Sequence, residues 1–305
     1  MMKRLLLLAA ALGLLAAPAR PSDEPTPPRA PEESTPAPAE AQAQSKKPPD
    51  PRDIDDLEPD PSEPDFQLVN LPTTLRLPRH KLAFFLNHRF SRPLGQGDFG
   101  DLAGDLFGFD SAAGIGLELR FAPFRGSQVG AFRTNGQTIE LFLEQNLLRS
   151  QKGPVGITAF GSVEGLDNFT EDYSPAVGVV LSRRFKTRGA VYAFPYWVAN
   201  TRLDEGSGDN DTLALGLGAR MRVVSSVYLV AEFVPRLAGY KGVNPLDPAQ
   251  RAANYVGFGI EKQWGGHLFQ LNFSNGFATT PAQQARGSFV GNDWYIGFNL
   301  SRKFY

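Results

Sequence analysis

Histidine is scarce in this chain, and of its three copies only His88 lies in the interior of a candidate strand. With Ser91 close by in sequence, His88 could act as the general base that activates a serine nucleophile. However, adjacent residues of a strand point to opposite faces, and no nucleophile-elbow sequence accompanies this histidine. We therefore expect His88 to pack at the rim of the fold, and we assign no catalytic residue.

Carboxylates are concentrated in two stretches that read as loops, where their oxygens could bind Ca²⁺. The regular D-x-D-x-D-G spacing of a dedicated calcium loop is missing, so we expect solvated loops with no metal and no cofactor. The absence of cysteine excludes disulfides and thiolate metal sites, and neither a phosphate-binding glycine loop nor zinc-ligand spacing occurs. The two acidic stretches are Asp98, Asp101, Asp105 and Asp110, and then Asp204, Glu205, Asp209 and Asp211.

A third set of charged residues alternates with aliphatic residues along long strand candidates. Such residues could line a selective pore, or they could pair with one another and block it. The sequence leaves both readings open. The candidate lumen-lining residues are Glu118, Arg120, Glu140, Glu144, Arg184, Arg220, Glu232 and Glu261.

The first 19 residues have the layout of a secretory signal peptide. A basic start at Lys3 and Arg4 precedes an apolar run from Leu5 to Ala17 and an Ala-Pro-Ala cleavage pattern. The apolar part is too short to be a reliable membrane span. We therefore expect residues 1–19 to be removed and the remaining chain to be exported.

Residues 20–67 differ in composition from everything that follows. Residues 20–65 carry 13 prolines and a net charge of −8, whereas residues 66–305 carry a net charge of +5. A segment so poor in large apolar side chains cannot bury enough surface to fold. We predict a disordered tether, available to periplasmic or cell-wall components. The basic excess that follows is modest and scattered, which gives no support for nucleic-acid binding.

From Leu68 onward, twelve segments of about ten residues show apolar side chains at every second position. Long and short connections alternate between them, as in a transmembrane barrel with tight turns on the periplasmic side. We predict an all-β fold for residues 68–305: an antiparallel up-and-down barrel of about 12 strands in the outer membrane, with both termini periplasmic. A soluble β-sandwich or jelly roll is the alternative. The candidate strands are 81–90, 112–121, 127–134, 137–148, 154–164, 175–186, 189–201, 211–223, 226–236, 253–264, 266–277 and 291–305.

The last strand candidate must close the barrel onto the first, because no strand edge can stay unpaired in a bilayer. Its aromatic end resembles the signal by which the barrel-assembly machinery recognises outer-membrane proteins, carried here by Phe298, Leu300, Phe304 and Tyr305. Pro195 conflicts with this model, since a strand inside a closed sheet needs every N–H. We expect a bulge there or a shorter strand.

Four stretches carry a resemblance to a known family: NLPTTLRLPRHKLAFFLNHRF (70–90), DLFGFDSA (105–112), VGAFRT (129–134) and ELFLEQNLLRS (140–150). They are similar to an uncharacterised family of exported bacterial outer-membrane β-barrel proteins, known only as a domain of unknown function. The resemblance spans roughly residues 70–305. It implies a barrel in the cell envelope, surrounded by outer-membrane lipid, and it implies no activity.

Three functions are compatible with these observations. The first is a passive or weakly selective pore for small solutes, and the second is a structural envelope protein with a plugged barrel and a periplasmic tether. The third, a lipid hydrolase centred on His88, has the least support in the sequence. We expect a protein that is not an enzyme.

Overall fold

The computed structural model describes residues 61–148, 155–203, 208–244, 247–289 and 293–304. The predicted signal peptide, the tether up to residue 60 and Tyr305 lie outside these ranges. Within them, the chain folds into strands connected mainly by turns and loops, with two helices of six residues each. No helix in this part of the chain is long and apolar enough to cross a membrane.

Twelve long strands form a closed antiparallel barrel. Each pairs with its sequence neighbour in the barrel, and the last pairs with the first, from Leu82 opposite Phe304 to Arg89 opposite Gly297. The strands are β1 (Leu82–Phe90), β2 (Ala113–Phe121), β3 (Ser127–Thr134), β4 (Ile139–Leu148), β5 (Val155–Leu166), β6 (Glu171–Arg184), β7 (Gly189–Val198), β8 (Thr212–Val224), β9 (Val227–Val234), the short β10 (Arg236–Gly239), β11 (Val243–Asn244) and β12 (Asp247–Arg251), then β13 (Tyr255–Trp264), β14 (His267–Ser274) and β15 (Tyr295–Phe304). The short strands β10 to β12 belong to the connection between β9 and β13, which pair directly. The predicted twelve-stranded barrel is confirmed.

The two ends of the barrel differ in their connections. At one end, which we call the terminal end, β1 begins, β15 ends and short connections join the strands. At the opposite end, the loop end, residues 91–112, 199–211, 235–254 and 275–294 form long connections. The gap between the candidate strands 154–164 and 175–186 contains the stretch LDNFTEDY (166–173) and predicts a long loop, and this prediction is wrong. Strands β5 and β6 continue into it, which leaves a turn of four residues, 167–170.

The two faces of the wall follow the alternation in the sequence. Along β4, Leu143 is 52% exposed on the outside while the next residue, Glu144, is 1% exposed on the inside. The same alternation places Leu117 and Leu119 outside and Glu118 inside on β2. The outward leucines and phenylalanines provide the apolar band that a bilayer requires, which agrees with the apolar side chains predicted at every second position.

Pro195 lies within β7 without disturbing its register. The pairs Gly178 with Tyr196 and Leu181 with Ala193 keep one continuous register on either side of the proline, so no bulge is present. A Cβ added to Gly178 would lie 2.8 Å from the carbonyl oxygen of Pro195. The glycine thus leaves room for the close backbone approach at this point. Strand β7 ends at Val198, earlier than predicted, but still contains the proline.

The two helices lie in loop-end connections. Helix α1 (Phe99–Gly104) begins with a capping box between Asp98 and Asp101, which accounts for two of the clustered carboxylates. Helix α2 (Pro281–Arg286) is capped by the Thr280 side chain and has proline at its first position, where the missing N–H costs nothing. Both helices therefore begin at strong local signals.

The assignment of the outward face can be tested with one arginine substitution. Leu143→Arg, near the middle of β4, should destabilise the protein by about 2 to 4 kcal/mol, because its charge meets hydrocarbon. The same change at Leu82, outward at the terminal end of β1, should cost about 0 to 1 kcal/mol. Urea unfolding from lipid vesicles measures both, and equal losses would contradict the assignment.

Candidate functional site: an occupied lumen

Residues 62–77 fold into the barrel lumen as a hairpin, which we call the lumenal hairpin. Its turn is closed by the N–H of Leu68 donating to the carbonyl of Leu71 at 2.8 Å and by Thr73 donating to Phe66 at 2.8 Å. Pro64 and Asp65 contact Lys303 near the terminal end. The sequence prediction assigned residues 62–67 to the disordered tether, and for these residues it was wrong. They are buried because Phe66 and the polar groups around it find partners on the wall.

The tip of the lumenal hairpin surrounds one carboxylate. Glu232 of β9 accepts hydrogen bonds from the backbone N–H groups of Val69, Asn70 and Leu71, each at 3.0 Å. Successive N–H groups that converge in this way form a nest for an anion. Asn70 also donates to the hydroxyl of Tyr255 at 2.5 Å. A wall carboxylate therefore holds the turn in place.

The carbonyl groups of the same segment are bonded by side chains from other strands. Gln270 donates to the carbonyl of Leu68 and Asn299 to that of Val69, both at 2.8 Å. Arg220 donates to the carbonyl of Gln67 at 2.5 Å while its guanidinium forms a bidentate pair with Glu261, both bonds 2.8 Å long. The wall thus replaces the water that would otherwise solvate this backbone.

A second charged group lies on β2 and β4. Arg120 forms ion pairs with Glu118 and with Glu144, and Gln67 of the lumenal hairpin donates to Glu118 at 2.9 Å. Arg76, also in the lumenal hairpin, lies 2.9 Å from Glu144. Buried charges are tolerated when they are paired in this manner. The predicted lumen residues Glu118, Arg120 and Glu144 therefore meet one another and the hairpin together.

Apolar contacts fill the remaining space, and three wall glycines make room for them. Phe66 packs edge-on against Phe85, with ring centroids 5.9 Å apart. A Cβ at Gly216 would lie 2.7 Å from Leu71, and one at Gly218 would overlap Leu68. Gly156 leaves similar space beside Thr74. The wall is therefore shaped around the lumenal hairpin.

The loop end is closed by a different segment. Helix α2 folds inward against β6, β7 and β8, with Ala282 and Ala285 buried. Arg286 lies 2.5 Å from Glu164 and donates to Ser174 at 2.8 Å, and the Thr280 hydroxyl also binds Glu164. Between α2 and the lumenal hairpin remains a cavity of about 20 Å³. That volume is enough for roughly one water molecule.

The last two of the eight predicted lumen residues are Glu140 and Arg184. Glu140 borders the small cavity, and its Oε1 atom has no hydrogen-bond partner among the described residues. Arg184 is only partly buried, at the terminal end of β6. The other six are buried, as Glu140 is. Sequence reasoning did not single out Glu164, Arg89 or Arg76, although Glu164 and Arg89 stand at inward positions of alternating strands.

His88 faces outward near the loop end of β1. Its ring stacks on Phe298 with centroids 4.8 Å apart and lies 4.3 Å from the ring of Phe90. This placement agrees with packing at the rim. Phe298 and Leu300 point outward with it and are partly buried, and Phe304 is exposed. Whether these residues form an insertion signal stays a prediction.

The acidic loop residues do not converge on a metal-binding arrangement. Among the described residues, no group of three or more histidine, aspartate or glutamate side chains is placed to hold a metal ion. Asp105 instead forms an ion pair with Arg92. Asp204 and Glu205 lie outside the described residues.

A closed barrel with an apolar outer band and a filled polar lumen defines a membrane-spanning β-barrel protein. The chain belongs to the membrane bound beta barrel domain family (DUF5777), whose model matches residues 65–304. The match includes the whole barrel and most of the lumenal hairpin. A search of curated proteins found no match.

Several solved outer-membrane barrels are similar to this chain at low sequence identity. An outer membrane channel from Pseudomonas putida F1 is 9% identical, with a TM-score of 0.48 over 75% of this chain and 97% of that one. The NanC porin is 8% identical, with a TM-score of 0.48 over 73% and 99% of the two chains. Outer membrane phospholipase A from Escherichia coli is 12% identical, with a TM-score of 0.37 over 80% and 95%. These similarities carry no argument about activity.

The role of Glu232 can be tested at the tip of the lumenal hairpin. Glu232→Ala removes the acceptor of three buried N–H groups and should loosen the hairpin by about 1 to 3 kcal/mol. Hydrogen exchange at residues 69–71 should accelerate, while exchange in the barrel strands stays slow. Glu171→Ala, at an exposed position of β6, is the control. Unchanged exchange at residues 69–71 would show that the carboxylate does not hold the turn.

Proposed function

We propose that this protein is a closed outer-membrane barrel that anchors its N-terminal segment at one mouth. One observation carries the proposal: residues 62–77 occupy the lumen and are bonded to the wall along their length. An open pore requires a continuous water-filled path. Among the described residues, the space between α2 and the lumenal hairpin is a cavity of about 20 Å³ beside Glu140, which is too small to form part of such a path.

The contacts of the lumenal hairpin make spontaneous opening costly. Phe66, Leu68 and Leu71 are fully buried, and each such side chain contributes about 1.5 to 3 kcal/mol relative to an exposed one. Departure of the hairpin would also leave Glu232 without its three backbone donors. The free-energy cost of removing the hairpin therefore favours a lumen in which it stays bound.

The orientation of the barrel gives the anchor its direction. We propose that the terminal end faces the periplasm, since short turns occupy that side in outer-membrane barrels. The chain reaches the lumenal hairpin near Lys303, at the terminal end. Residues 20–60, which carry the acidic and proline-rich sequence, would then extend towards periplasmic or cell-wall components.

A small-solute pore remains the second candidate, because one observation favours it. With the lumenal hairpin removed, the inner wall would present paired charges from Glu118 and Arg120 and from Arg220 and Glu261 around a glycine-lined space. Such a wall suits a weakly selective channel. This function requires a state in which the hairpin has left. Among the described residues no contact favours lipid hydrolysis, because the His88 ring stacks on Phe298 and packs beside Phe90 on the outer face.

Planar-bilayer recording distinguishes the closed barrel from the pore. The unaltered protein should insert without steady conductance. Gly218→Leu, which fills the space of the Leu68 side chain, should displace the lumenal hairpin and produce current. Gly114→Leu is the matched control, because no atom lies within 4 Å of a Cβ added there. Steady current through the unaltered protein would contradict the closed barrel.

The anchoring role predicts a separate result in cells. Replacing residues 20–60 by a glycine–serine segment of equal length should leave membrane insertion intact, because the family match and the lumenal hairpin lie beyond residue 60. Recovery of the protein with isolated cell walls or periplasmic partners should fall to background. Equal recovery of the two proteins would argue against a function for the segment.

A further inference from the structure

Charge is distributed unequally between the two ends of the barrel. The five short connections at the terminal end, 122–126, 149–154, 185–188, 225–226 and 265–266, contain five basic residues and no acidic one. The six loop-end connections contain 11 acidic and 6 basic residues. The connections at the terminal end, where the chain enters and leaves the wall, therefore have a net positive charge, and those at the loop end have a net negative charge.

Basic side chains surround this end. They stand on or beside the turns from β2 to β3, from β6 to β7 and from β13 to β14, and at the end of β15, so that they are spread around the barrel. Five of the six are exposed, and Arg302 is partly exposed. We call this set the basic collar: Arg125, Arg183, Lys186, Arg188, Lys262 and Arg302.

Apolar side chains are interleaved with the basic collar. Phe124 is 72% exposed beside Arg125, and Trp264 is 78% exposed two residues from Lys262. Phe185 is likewise exposed beside Lys186. Aromatic residues at the ends of barrel strands lie at the boundary between hydrocarbon and headgroups. The collar cations are therefore placed at the depth of the headgroups.

We propose that the basic collar binds the phosphates of anionic phospholipids in the leaflet at the terminal end. Lysine and arginine near a membrane surface attract anionic headgroups. The adjacent aromatic tips enter the same interface and fix the depth of the cations. This surface selects the lipid around the barrel and is independent of whether the lumen conducts.

The acidic N-terminal segment is the competing occupant, since it matches the charge of the collar. The segment offers few apolar partners for the exposed aromatic side chains beside the collar, because Ile54 and Leu57 are the only large apolar side chains in residues 20–60. A lipid leaflet supplies both a negative surface and an apolar layer beneath it. The combination of cations and exposed aromatics therefore favours phospholipid.

The chain contains a tryptophan reporter at each end. Trp264 lies at the terminal end, and strand register places it in line with His267 and Arg302. Trp197 lies outward near the loop end of β7. In the full-length protein, the double substitution Trp197→Phe and Trp294→Phe leaves Trp264 as the fluorescent reporter beside the basic collar. The double substitution Trp264→Phe and Trp294→Phe leaves Trp197 as the reporter at the loop end.

The experiment compares quenching by brominated phosphatidylglycerol and brominated phosphatidylcholine in otherwise identical mixed vesicles. At Trp264 the anionic lipid should bind roughly fivefold more strongly than the zwitterionic lipid, which corresponds to about 1 kcal/mol. At Trp197 the two lipids should quench equally. High salt should reduce the preference at Trp264, because it screens exposed charges.

Substitution assigns the preference to the collar. Lys262→Gln with Arg302→Gln should abolish it at Trp264, whereas Arg133→Gln at the loop end should leave it unchanged. Equal quenching by the two lipids at Trp264, an equal preference at Trp197, or a preference that survives the double substitution would each overturn the proposal. The first of these results is also the one expected if the acidic segment covers the collar.

Discussion

The structure depends on the requirement that every backbone N–H and C=O at membrane depth finds a partner within the protein. Hydrocarbon offers no hydrogen bonds, so a sheet in a bilayer must have no edge. The pairing of β15 with β1 removes the edge, and all other features of the wall follow from that closure. Because the wall is closed, each strand has one face towards lipid and one towards an enclosed interior, and the two faces require opposite side chains.

The same requirement applies inside the barrel, where the chain itself occupies the lumen. The tip of the lumenal hairpin has backbone N–H and C=O groups that do not pair with a strand of the wall. Side chains of the wall form hydrogen bonds with them instead. Glu232 accepts from the N–H groups of the hairpin, and the hairpin's carbonyl groups accept from Gln270, Asn299 and Arg220. The buried charges of the inner wall therefore serve as hydrogen-bonding groups for a segment without a strand partner. Because charged groups on an inner barrel face can bind a segment of the chain itself, mixed charge there does not by itself indicate a path for solutes.

The wall could be predicted from sequence because its signals are local. Alternation along β2 and β4 assigned Leu117 and Leu143 to the outside and Glu118 and Glu144 to the inside without knowledge of any partner. The lumenal hairpin could not be predicted in the same way, since Val69 meets Glu232 across a separation of 163 residues. The proline-rich and acidic composition of residues 20–65 gives way to apolar residues at Phe66, Leu68 and Leu71, which did indicate the start of a folded segment. It gave no indication of where those side chains would be buried. Pro195 was misjudged because its own sequence does not reveal the neighbouring strand, where Gly178 allows the close approach of the Pro195 carbonyl.

The contacts of the lumenal hairpin also bear on the order of assembly. Ser301 donates to Asp65 and Asn299 donates to Val69, so the site of the lumenal hairpin includes the C-terminal strand, which is synthesised after the rest of the wall. The hairpin can therefore complete its contacts only when the C-terminal strand is in place. Until that moment its apolar side chains have no complete surface to cover them, and seam closure and interior packing become a single late event in folding.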